Sequence, residues 1–189
     1  TGLADLDHSL GGGLRTGDLY TLGSELGMGR TAMLHNFINA AFDQDMPTLL
    51  LSAGLSSTGH MGRLLCQRAG VGSHLLSKGT LTGDQLDAYV SHVRHMAQKK
   101  SLFKLGDAHF LREQEVEKAC EDFFTAPSGL LVIDGLEGLK IDHYIGANGY
   151  APWAMKLEKL ARSLGIAVVV SVELTGNIGA RPCKVPRIS

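Results

Sequence analysis

Residues 24 to 31 read Ser-Glu-Leu-Gly-Met-Gly-Arg-Thr, a glycine-rich turn of the shape that wraps a phosphate. A β-prone run, Asp18 to Gly23, leads in. Apolar Met33, Leu34, Phe37, Ile38 and Ala41 lead out at helical spacing. A strand–turn–helix of this kind commits a chain to a β-α unit whose helix packs back on a sheet. The turn works because glycines let successive backbone N–H groups face the β-phosphate, a lysine reaches the β- and γ-phosphates, and a Ser or Thr hydroxyl holds Mg²⁺. Gly27, Gly29 and Thr31 keep these parts, whereas Ser24 stands where the first glycine belongs and Arg30 where the lysine belongs. A guanidinium is broad and planar and does not fit the tight loop as an ammonium does, so weakened nucleotide binding is expected. The nucleotide-binding set read here is Ser24, Gly27, Met28, Gly29, Arg30, Thr31 and Ala32.

The rest of the chain alternates strands and helices, the pattern of a mainly parallel sheet with helices on both faces. Strands are expected at Pro47 to Ala53, Leu130 to Asp134 and Ile166 to Val172, all continuous apolar runs of the kind buried on both faces, with a shorter one at Ser101 to Leu105. Helices are expected at Met61 to Ala69, Asp84 to Lys100, Glu113 to Phe124 and Trp153 to Leu164. In the second, Leu86, Tyr89, Val90, Val93 and Met96 form the apolar stripe; in the last, Met155, Leu157, Leu160 and Ala161 do. Gly70 to Ser73, Lys78 to Gly83 and Lys140 to Tyr150 read as loops.

No internal repeat or linker interrupts the 189 residues, and one domain spanning 1–189 is the expectation. A chain opening on Thr1 rather than methionine reads as a fragment. With 44% hydrophobic residues and no apolar stretch of about 18 to 20 residues, a spanning helix is excluded. Cys66, Cys120 and Cys183 are widely spaced, which argues for free thiols in a reducing compartment, the cytosol, and against a zinc site. His92 and His95 share a helical i, i+3 spacing and are placed on a solvated face. A net charge of −1 gives no basic excess for gripping nucleic acid.

Asp134 closes the apolar run Leu-Leu-Val-Ile, where open α/β sheets place their ligands. With Thr31 it forms the candidate Mg²⁺ pair.

Thr1-Gly-Leu-Ala-Asp-Leu-Asp7, Gly12-Gly-Leu-Arg-Thr-Gly-Asp-Leu19, Gly27-Met-Gly-Arg-Thr31, Arg63-Leu-Leu-Cys66, Gly79-Thr-Leu81 and Val132-Ile-Asp134 occur in the order seen in bacterial replicative helicases. From Thr1 to about Leu174 the chain resembles the C-terminal RecA-type motor domain of the DnaB family. The resemblance implies a RecA-like P-loop core, ATP with Mg²⁺ as cofactors, a hexameric ring around single-stranded DNA, and an amino-terminal domain that is expected to be absent here. It also implies three positions that this sequence has changed. The family's glutamate that orients the attacking water falls on Gly54, its γ-phosphate-sensing glutamine on Glu173, and a further glutamine on Glu137. Carboxylates at the last two, with Glu25 in the loop, would repel phosphate unless protonated or bound to metal. DNA-contacting loops would fall near Lys140 to Tyr150 and beyond Thr175, and Arg181 or Arg187 could stand for the arginine that reaches a neighbouring subunit or belong to a solvated tail.

Two readings follow: an ATP-hydrolysing motor within a helicase ring, and a noncatalytic paralogue that keeps the fold as an interaction or regulatory module. A recombination or clock-type ATP-binding regulator is a third.

Overall fold

The computed structural model describes residues 1–107, 112–139 and 151–174. Five strands form one sheet in the order β1-β5-β4-β2-β3, with β1 Leu19–Ser24, β2 Thr48–Ser52, β3 Phe103–Asp107, β4 Leu130–Asp134 and β5 Ala167–Glu173. Every pairing is parallel. All strands therefore bring their carboxyl ends to one edge of the sheet, and the register sets Ser52 beside Asp134 and Ser24 beside Glu173.

The apolar runs are continuous because the sheet is covered on both faces. Alternate side chains go to opposite sides of a strand. Leu49, Leu51, Leu131, Ile133, Val168 and Val170 meet α6 (Glu113–Phe123) and α7 (Ala151–Leu164) through Val116, Cys120, Trp153 and Leu157. Leu50, Leu130, Val132, Ala167 and Val169 meet α2 (Arg30–Asp43), α3 (Ser57–Ala69) and α5 (Gly83–Gln98) through Leu34, Ile38, Leu64 and Met96. Two further helices, α1 (Ala4–Ser9) and α4 (Ser73–Lys78), complete the described α-helices.

Several expectations need correction. The helix α1 has no counterpart among the expected elements, and α4 takes Ser73 and Lys78 out of the loops expected there; both helices are six residues, too short for a periodic stripe. The strand expected at Ser101 to Leu105 begins two residues later, after a single 3₁₀ turn at Lys100–Leu102. Leu86 and Val93 of α5 and Met155 of α7 are exposed, because each lies at the margin of a stripe whose centre does the packing. His92 and His95 are half-buried rather than on a solvated face, and His95 sits edge-on to Phe42 with ring centroids 5.5 Å apart. The Cys66 and Cys120 thiols are free and buried, and burial pushes both above the usual cysteine value, Cys120 up to about 12. The expectations for Lys140 to Tyr150, the segment beyond Thr175, Cys183, Arg181 and Arg187 lie outside the described residues.

Candidate functional site

Gly27 and Gly29 take φ of +80° and +84°, the left-handed region, where an L side chain is strained although nothing stands within 4 Å to obstruct one. Gly29 caps α2 without any side-chain acceptor, and no acidic residue occupies the first turn, so the positive end of the helix is left to the loop. Met28 and Ala32 are exposed beside them, Glu25 is exposed within the loop, and the Ser24 hydroxyl donates back to the Glu25 carbonyl at 3.1 Å.

Arg30 and Thr31, at the start of α2, meet the carboxyl end of β4. The Thr31 hydroxyl donates to Asp134 Oδ2 at 2.7 Å. Arg30 reaches across the same strand end: its Nη2 donates to Glu137 Oε1 at 2.9 Å and its Nε stands 3.9 Å from Asp134 Oδ1. One guanidinium thus bridges two carboxylates, and Glu137 is an ion-paired residue rather than a bare charge.

The turn that presents Glu137 is firmly anchored. Leu136 and Leu139 on either side are core residues, and the Gly135 N–H donates to Ser171 Oγ at 2.9 Å. A side chain on Gly138 would stand 2.2 Å from Ala53 Cβ, so only glycine lets the turn pack here.

Asp134 heads a buried polar chain that sequence reasoning missed. Ser171 donates to Asp134 Oδ1 at 2.7 Å, and His60 Nε2 stands 3.9 Å from Asp134 Oδ2. Ser52 donates to the Leu55 carbonyl at 2.9 Å and contacts His60 Nε2 at 2.7 Å, and His60 Nδ1 contacts His35 Nε2 at 3.0 Å. Since the Ser52 proton is committed to Leu55, His60 must donate from Nε2, and its Nδ1 must then accept the proton of His35 Nε2. Both rings are neutral in this arrangement. Burial holds His35 down at about 4 and His60 below the usual histidine value, with Arg63 adding to both effects and Asp134 opposing them. Apart from Thr48, these are all the buried polar side chains among the described residues. The available signal was Ser171, the one polar residue inside the Ala-Val-Val-Val-Ser-Val run.

Arg30, Thr31, Ala53, Gly54, Asp134 and Glu137 line a cleft of about 340 Å³. Gly54 presents no carboxylate to it. Glu173, at the exposed end of β5, stands in register with Ser24. Among the described residues no cluster of three His, Cys, Asp or Glu side chains could hold a metal. The oxygen donors of Thr31 and Asp134 suit Mg²⁺ in kind and position. The guanidinium beside Asp134 does not, since it already supplies positive charge there, so the pair fits the ion only with Arg30 displaced.

The chain matches the DnaB-like helicase C terminal domain family over residues 1–189. It is 25% identical over 197 aligned residues to the replicative DNA helicase DnaB of Helicobacter pylori strain 26695, covering 100% of this chain and 39% of that protein. To DnaB of Treponema pallidum strain Nichols it is 29% identical over 184 residues, covering 89% of this chain and 39% of the relative. It therefore spans well under half the length of these relatives. In fold it superposes on a DnaB-like replicative helicase solved in a study of its interactions with primase, at a TM-score of 0.85 and 17% identity over 100% of this chain and 46% of that one. A second solved structure, of an ATPase domain, gives a TM-score of 0.84 and 17% identity over 98% of this chain and 66% of that one. The five-stranded parallel sheet is thus the RecA-like ATPase fold, and the chain belongs to the DnaB-like helicase C-terminal domain family.

Proposed function

We propose that this chain is the motor-fold domain of a DnaB-type replicative helicase or paralogue whose nucleotide site binds ATP weakly and does not turn it over, leaving the domain to act as a noncatalytic module in a helicase ring or against a protein partner. The observation that carries this is the pairing of Arg30 with Glu137 and Asp134, which engages with carboxylates the charge meant for phosphate. Gly54 supports it, because a residue without a side chain cannot orient water. Thr31 and Asp134 would hold Mg²⁺ beside a bound nucleotide, where the ion would offset phosphate charge. Glycines 27 and 29 and the helix N-terminus would still cradle the β-phosphate, which is why weak binding is expected to persist. The relatives' descriptions as replicative helicases, and one relative's study with primase, support a replication setting and a protein partner for this chain.

Phosphate release from Mg·ATP, with and without single-stranded DNA, tests the reading. Turnover at least about a hundredfold below the ~1 s⁻¹ low end of ordinary enzymes is expected. Turnover in the ordinary range, raised by DNA, would establish an active motor instead.

A further inference from the structure

Glu137 and Arg30 belong to different parts of the chain, yet the fold fixes both ends of their contact. Arg30 is the first residue of α2, so its backbone cannot shift without moving the helix that packs the sheet through Leu34 and Ile38. Glu137 rides on the 3₁₀ turn Leu136–Gly138, locked by two core leucines, by the Gly135 to Ser171 hydrogen bond and by the close approach of Gly138 to Ala53. The guanidinium is also held at its Nε side by Asp134, whose orientation is set by Ser171 and Thr31. The Arg30 guanidinium is partly covered and meets two carboxylates at once, so solvent screens the contact less than it would a fully exposed ion pair. A carboxylate and a phosphate also ask the same thing of a guanidinium: two oxygens to accept its N–H donors.

We propose that the Arg30–Glu137 ion pair is a latch that occupies the phosphate-recognition group of this chain, with Glu137 standing in for the anion, so that a nucleoside triphosphate must displace Glu137 before Arg30 can bind it. The proposal rests on the reading of the loop as a weakened nucleotide site and adds that Glu137 competes with the nucleotide for Arg30. A latch differs from mere repulsion by a nearby carboxylate. Repulsion acts on phosphate directly and does not depend on Arg30, whereas the latch acts only through Arg30.

A double-mutant cycle separates the two. Mg·ATP is titrated calorimetrically into the wild-type chain, Glu137→Gln, Arg30→Met and the Arg30→Met/Glu137→Gln pair, with thermal melts confirming that each is folded and Glu137→Ala serving as a second release variant. Glu137→Gln is expected to tighten ATP binding by about fivefold or more, the scale of one partly covered ion pair, and the same change in the Arg30→Met background to give no gain. An equal gain in both backgrounds overturns the latch in favour of repulsion. Unchanged affinity in Glu137→Gln and Glu137→Ala, or no binding by either at millimolar ATP, overturns it outright and leaves the noncatalytic reading standing. Hydrolysis by the wild-type chain would instead overturn the noncatalytic reading while the cycle still decides the latch.

Discussion

A lysine in a phosphate loop has a compact charge, so the oxygens of the bound anion are its natural partners; the forked side chain of Arg30 is engaged by Glu137 and Asp134 instead. The positive charge is kept but already neutralised by its two carboxylate partners. Gly54 is the second deficit, and the structure leaves room to mend it: its φ is not in the left-handed region and nothing lies within 4 Å of where a Cβ would stand. Gly54→Glu alone should leave turnover unchanged while Arg30 stays clasped. Arg30→Lys with Gly54→Glu should raise phosphate release at least about tenfold, below the range that a positioned base contributes in a fully assembled site. No rise in the pair would place the deficit elsewhere, with Glu173 the next residue to change. Gly138 offers a structural counterpart. Gly138→Ala would press a methyl against Ala53, whose Cβ would be 2.2 Å away and Cα 3.4 Å, and backbone cannot yield as a flexible side chain does. A loss of about 1–3 kcal/mol is expected, visible by calorimetry as a fall of several degrees in Tm.

At the scale of elements, what the sequence announced and what it hid follow from different physics. Strands such as Leu130 to Asp134 were legible because burial on both faces leaves an unbroken apolar run, and the helix after the loop was legible from the period of Leu34, Phe37, Ile38 and Ala41. The helices α1 and α4 were not, since six residues span less than two turns and neither buries a residue. In the site, the loop glycines, Thr31 and Asp134 carry motif spacing and could be named in advance. The Arg30–Glu137 pair joins residues 107 positions apart, and the His35–His60–Ser52 chain joins α2, α3 and β2, so both depend on topology that no local pattern encodes. His35 in particular occupies a core position of α2 and so was hidden among apolar neighbours. The element α7 gives a separate prediction. Trp153 is buried with its indole N–H lacking a hydrogen-bond partner among the described residues. Removing an unpaired buried donor recovers its desolvation cost while the smaller ring gives up packing. Trp153→Phe should therefore change stability by less than about 1 kcal/mol in urea denaturation, against the roughly 3–5 kcal/mol typical of large-to-small aromatic truncation to alanine.

For the whole molecule, the buried histidine pair ties global stability to pH. His35 is held neutral by burial, with its value lowered from 6.5 to about 4; the neighbouring His60 and the charge of Arg63 on α3 act in the same direction, and Asp134 on β4 opposes them. The unfolded chain has no such burial, so its His35 takes a proton near the ordinary value of 6.5. Between these values the unfolded state binds more protons than the folded one, and stability must fall as pH drops. Above about pH 6.5 both states are neutral at this ring and the contribution is flat. The loss begins as pH passes below about 6.5, grows through about pH 5 and levels off near about pH 4. For His35 alone it amounts to about 2 kcal/mol at pH 5 and about 3 kcal/mol in full, and the lowered value of His60 acts in the same direction. Urea denaturation at about pH 7 and about pH 5 measures the difference directly. His35→Gln keeps a donor for His60 Nδ1 but cannot take the proton, so it should flatten the pH dependence over this range even if it lowers stability near neutrality. An equally steep dependence in His35→Gln would assign the acid sensitivity to other groups. Since β2, α2 and α3 all meet at this pair, its protonation should register as cooperative loss of the whole sheet rather than as fraying of one helix, and far-UV and tryptophan signals should change together.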